Sequence, residues 1–140
     1  MADHHTSASW PAGTTIEHAF TGLTIDAAWA RVALVVRRDP NDAGIPYVLH
    51  VVASDPADPA DGLQTVEKQA VADLDGITAA DAALAVSQGA GTVTLTLSAA
   101  ASALLVPRRW LSWTLSQLAG GAVSILDSGD SLAIDPSPEG

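Results

Sequence analysis

Residues 91 to 98, GTVTLTLS, place Val93, Leu95 and Leu97 in alternation with Thr92, Thr94 and Thr96. Only an extended chain sends every second side chain to the same side. The segment is therefore a strand with one dry face and one wet face. A half-apolar strand is stable only in a sheet whose dry face is covered, so the chain must supply other strands. Residues 109 to 117, RWLSWTLSQ, supply one, with Leu111, Trp113 and Leu115 on one face and Trp110, Ser112, Thr114 and Ser116 on the other. Two β-branched runs, RVALVVRR (31–38) and IPYVLHVVAS (45–54), flank DPNDAG, whose Pro, Asn, Asp and Gly provide turn chemistry. They read as antiparallel neighbours. Further on, Gly120-Gly121 turns the chain into AVSILDS, and Ser128-Gly129-Asp130 predicts another turn into SLAID. The last part of the chain is then a three-strand meander, ended by Pro136 and Pro138.

One helical interruption is predicted in SAAASALLVP, 98–107. Ser98 can cap the first turn, the alanine-rich run propagates it, and Pro107 stops it, giving a two-turn helix before the aromatic strand. Residues 63–86 leave two readings open, because Val66, Ala70 and Leu74 keep a helical step while the flanking pieces suit strands. SDPADPADG, 54–62, has two prolines, three aspartates and no bulky apolar group, which predicts an exposed acidic loop. A length of 140 residues serves one core and not two. The expected fold is all-β, an immunoglobulin-like antiparallel β-sandwich of about seven strands with one short helix before the aromatic strand. Residues 14–136 form this domain, 1–13 an N-terminal arm and 137–140 a C-terminal tail. Val93, Leu95, Leu97, Leu111, Trp113, Leu115, Leu132 and Ile134 are its expected core.

Charge and composition narrow the function. Sixteen acidic residues against six basic ones give a net charge of −10, which repels nucleic-acid phosphates and anionic lipid. The expectation is no nucleic-acid partner and no membrane. Without cysteine there is neither a disulfide framework nor a thiolate metal site, which fits folding in a reducing cytoplasm. Ala2-Asp3-His4 would offer a square of nitrogens to Cu(II) or Ni(II) if Met1 were removed, but His4-His5 reads more simply as part of a polar arm. His18 and His50 fall in separate strands without the spacing of a zinc motif or a nucleophile elbow. Asp55, Asp58 and Asp61 recur every third residue, whereas a calcium loop needs oxygen ligands at every second. The glycines of GAG, 89–91, precede a strand, where a phosphate cradle would precede a helix. No enzyme activity, cofactor or metal is expected.

In order, the chain runs from a strand ending in basic residues through a turn to a second strand. GTVTLTLSAAASALL, a proline turn, the aromatic strand RWLSWTL, GGAVSILDSG and a closing SLAIDP come later. This succession resembles the N-terminal domain of phage baseplate upper proteins and related small phage tail proteins, over roughly residues 14–136. The middle segment 55–90 is longer than in that pattern. The aromatic strand is entered through Arg108-Arg109-Trp110, where the pattern has a Gly and an aromatic. The resemblance implies a non-enzymatic structural component of a bacteriophage virion, in the tail, in the baseplate or on the head surface. It would be assembled in the host cytoplasm, with other virion proteins and copies of itself as partners.

The residues also allow a stand-alone carbohydrate-binding module, in which exposed tryptophans serve as flat platforms for sugar rings. Trp10, Trp29 and Trp110 are the candidates. VPRRWLSWTL, 106–115, sets two of the six basic residues directly before two of the four tryptophans. A guanidinium can stack on an indole and pair with a carboxylate, so Arg108 and Trp110 are the leading candidates for a protein interface, with Trp10 and Trp29 beside them.

Overall fold

The computed structural model describes residues 8–38 and 47–136. Most of the expected N-terminal arm, the DPNDAG turn and the C-terminal tail lie outside the described residues, as does the His4 nitrogen site. Among the described residues the chain forms ten strands. They are β1 (Ala8–Pro11), β2 (Ile16–Phe20), β3 (Trp29–Arg37), β4 (Leu49–Ser54), β5 (Gly62–Val66), β6 (Gln69–Ala70), β7 (Ala82–Ser87), β8 (Thr92–Leu97), β9 (Arg108–Ala119) and β10 (Ala122–Asp135). One short helix, α1 (Ala99–Ser102), precedes β9. Seven strands form one sheet in the order β1-β10-β9-β3-β4-β5-β6, and three form the other in the order β2-β8-β7. All pairs are antiparallel except β1 with β10. The fold is an all-β sandwich.

The threonine-alternating strand is β8, at the centre of the small sheet, with Val93, Leu95 and Leu97 fully buried. The other five expected core residues, Leu111, Trp113, Leu115, Leu132 and Ile134, are buried too. β3 and β4 are antiparallel neighbours, Leu34 standing opposite Val51 and Val36 opposite Leu49. Strict alternation carries Val32, Leu34 and Val36 inward and Arg31, Ala33, Val35 and Arg37 to the outer face. The apolar interior is thus continuous from β10 across to β5.

Three local expectations are corrected. Ser128-Gly129-Asp130 is no turn: β10 runs through it as one long strand, with Gly129 opposite Trp113. A Cβ added at Gly129 would stand 2.5 Å from the Trp113 indole nitrogen, so this glycine makes room for an aromatic ring instead of reversing the chain. The meander is therefore a two-strand hairpin, turned at Gly120-Gly121 with φ of +59° and +79°. The helix is one turn and not two. Ser98 caps it by accepting from the Ala101 amide at 3.1 Å, but Leu105 is drawn into the core and bends the chain before a second turn forms.

Residues 63–86 hold no α-helix. Glu67 and Lys68, at φ of +46° and +72°, make a two-residue hairpin turn between β5 and β6, which breaks the helical step from Val66 to Ala70. Two 3-10 turns, Val71–Asp73 and Ala79–Asp81, then lead to β7. In the second, Thr78 and Asp81 cap each other's backbone in a capping box.

Candidate interaction surface

Trp110 sits in a bulge at the start of β9. Leu111 pairs with Leu132, yet Arg108 pairs with Ile134, so β9 spends three residues where β10 spends two. The extra residue is accommodated by a left-handed backbone at Trp110, φ +64°. Bulges of this kind ordinarily place glycine there, and a bulky residue at positive φ is strained. The bulge leaves the indole 73% exposed. Leu104 and Val106, on the connection leading into β9, are exposed as well. One end of the sandwich therefore presents an aromatic ring and two aliphatic side chains.

Glu67 holds this end together. Its own amide donates to the Val48 carbonyl at 2.8 Å, which fixes the β5–β6 turn. Its carboxylate accepts from the Val106 amide and from the Arg108 guanidinium, both at 3.1 Å. The large sheet curls enough for a turn beyond β5 to reach the start of β9. Arg108 is thus no free anchor: it is tied to Glu67 and largely covered, with one terminal nitrogen buried and lacking an acceptor. Glu67 fastens Val106 and Arg108, just before Trp110 in the chain. Glu67 is missing from the sequence-based candidates because no spacing signal joins it to residues about forty positions later.

Trp10 leaves the candidate list as a surface platform. Trp10 is 4% exposed, because β1 pairs with β10 and turns the indole into the core. There it begins an aromatic row: its Nε1 donates to His18 Nδ1 at 3.4 Å, His18 lies 4.6 Å from Phe20 and Phe20 5.0 Å from Trp113. Burial pushes the His18 imidazole below its ordinary pKa, which keeps Nδ1 free to accept. Trp29, at the start of β3, is half-buried: it packs against the core and also lines an open concavity with Ala53, Asp55 and Leu84. Structure brings neither of them to Trp110.

The acidic loop is exposed from Asp55 to Ala60, and its last aspartate fastens it. Asp61 accepts from the Ser54 amide, the Ser54 hydroxyl and the Asp58 amide at 3.0, 2.8 and 2.9 Å. Burial opposes its charge, but these bonds outweigh burial and hold its pKa below the usual carboxylate range. An aspartate committed to its own loop is poorly placed to serve as a metal ligand. Among the described residues, no group of three or more His, Cys, Asp or Glu side chains is arranged to hold a metal.

The outer face of the large sheet holds a second feature that alternation did not single out. Arg31, Arg37 and His50 share it, and Arg37 lies over the Tyr47 ring at 5.0 Å. Burial, then Arg31, then Arg37 push the His50 imidazole below its ordinary pKa, so both arginines act on His50. Across the same face, on β10, Val123 and Ile125 are 71% and 67% exposed. A scan against protein-family models finds no match for the chain, and a search of curated proteins finds none.

Proposed function

We propose that this chain is a non-enzymatic structural component of a bacteriophage virion, joining other virion proteins and copies of itself through protein–protein contacts. The order of elements that resembles small phage tail domains supports the virion setting. The observation that carries the docking role is Trp110, a large aromatic kept at positive φ and turned to solvent. Strain at a backbone position persists where the residue is useful for something other than stability. Tryptophan is among the side chains that most often anchor interfaces, because its flat, rigid area is desolvated at little entropic cost. Leu104 and Val106 extend the apolar contact, and the Glu67–Arg108 pair keeps its base rigid. The sugar-binding alternative loses one of its three platforms, since Trp10 is buried.

The test is Trp110→Ala, followed by thermal melting of the isolated chain and by the protein content of purified particles. The expected result is a folded variant missing from particles. Full incorporation of the folded variant sinks the docking role. Absence of the wild-type chain from any particle sinks the virion setting.

A further inference from the structure

Ala33 and Val35 on the outer face of β3 stand opposite Ser116 and Thr114 on β9, so the middle of that face is floored by short side chains. Two concavities of about 270 and 330 Å³ lie in line along this floor. Sheet order sets their walls. Arg31 and His50 bound the first, and Arg37 the second, on the β3–β4 side; Val123 bounds the first and Ile125 the second on the β10 side. The result is a groove with one basic wall and one aliphatic wall.

Charge is unbalanced here. The chain has sixteen carboxylates and six basic side chains. Yet the ion pair seen among the described residues is Arg108 with Glu67, and neither of these lines the two concavities. Asp61 lies close enough to feel the charge of Arg31, and Asp130 lines the second concavity with Arg37, but neither arginine forms an ion pair with a described residue, and Arg37 Nε is buried without an acceptor. A buried guanidinium nitrogen left unpaired costs free energy that an incoming acceptor recovers.

We propose that this groove binds an extended, acidic segment of a partner protein, whose carboxylates pair with Arg31 and Arg37 while its aliphatic side chains pack on Val123 and Ile125. An extended peptide alternates its side chains between two sides, which matches one basic wall and one apolar wall. Arg31 and Arg37 are six positions apart on one strand, roughly 20 Å at about 3.3 Å per residue, so acids six residues apart in the partner reach both. Branched aliphatics give a sugar ring no flat platform, which favours a protein segment over an acidic glycan. Asp130, exposed beside Arg37 and Ile125, opposes an acid at that end. The inference uses none of the Trp110 surface and does not depend on the virion setting.

The test is an NMR titration of the full chain with the capped heptapeptide Asp-Val-Thr-Val-Thr-Val-Asp, the same peptide with Asn for both Asp, and a heparin-derived tetrasaccharide. The acidic peptide is expected to shift the amides of Ala33, Val35, Thr114 and Ser116. The Asn peptide should bind about tenfold more weakly, as the loss of charge-assisted hydrogen bonds implies. Arg31→Gln with Arg37→Gln should remove the shifts. Ile125→Asp, an exposed position that leaves the fold intact, should do the same, and Asp130→Asn should tighten binding. No shifts at millimolar peptide, shifts outside the groove, or equal binding of the Asn peptide overturns the proposal. Tighter binding of the tetrasaccharide in the groove overturns it in favour of an acidic glycan.

Discussion

At position 110 a tryptophan occupies a conformation that glycine adopts freely and every other residue adopts at a cost of roughly 1–2 kcal/mol. This gives a test that separates strain from side-chain loss. Trp110→Ala and Trp110→Gly remove the same exposed ring, but only glycine relieves the backbone. We expect the glycine variant to be more stable than the alanine variant by about 1 kcal/mol in chemical denaturation, against the usual order of these residues in strands. Equal stabilities would mean that the bulge relaxes in both. Alternation alone placed Trp110 on the wet side of its strand, and that much was legible. The bulge was not, because nothing in RRW announces a left-handed tryptophan. Trp10 was misread for a related reason: a four-residue strand carries no period, and its burial depends on β10, more than a hundred residues away.

Elements show the same division between what is local and what is not. β8 and β9 carry their own alternation, so their core faces were legible before any partner was known, while β3 and β4 were legible only as neighbouring strands, from their β-branched runs and the turn chemistry between them. Ser128-Gly129-Asp130 has the composition of a turn, yet lies inside β10 because Trp113 across the hairpin needs the space above Gly129. Gly129→Ala should therefore destabilise the chain by about 1–3 kcal/mol through overpacking. Trp113→Ala alone should cost about 3–5 kcal/mol by lost transfer and cavity formation. The two changes should be clearly less than additive when combined, since removing the indole removes the clash. Additive losses in urea unfolding would show that Gly129 serves something other than the ring. The loop before β5 yields a companion expectation at the same scale. Asp61→Ala strips the Ser54 and Asp58 amides of their acceptor, so hydrogen exchange at both should quicken while the core amides stay protected. Unchanged exchange at Ser54 and Asp58 would dissociate Asp61 from the order of the loop.

Across the whole molecule, acidification acts in two opposing ways. Protonating carboxylates relieves the self-repulsion of a chain with net charge −10, which favours the compact state. Buried or hydrogen-bonded groups act the other way. His18 has a pKa lowered from 6.5 by burial, so the unfolded chain takes up a proton before the folded one does. Its contribution is fully present above pH 6.5 and is lost as the pH falls from there to the depressed folded value. His50, lowered by burial and by Arg31 and Arg37, adds to the loss in the same window. Asp81 is lowered from 3.8 by the Ser98 hydroxyl and the Thr78 amide, so its contribution is present above that pH and is lost below it. The bulk charge effect and the histidine effect overlap, and a single pH titration of stability cannot separate them. His18→Gln can, because a glutamine carbonyl can accept from the Trp10 indole without titrating, while every carboxylate is retained. The stability of wild type minus that of His18→Gln should fall as the pH goes from about 7 to 5, by denaturant midpoints at fixed ionic strength, and should be level above pH 7. A difference that is flat across that range would place the His18 proton outside the folding equilibrium, and with it the aromatic row that joins the two sheets.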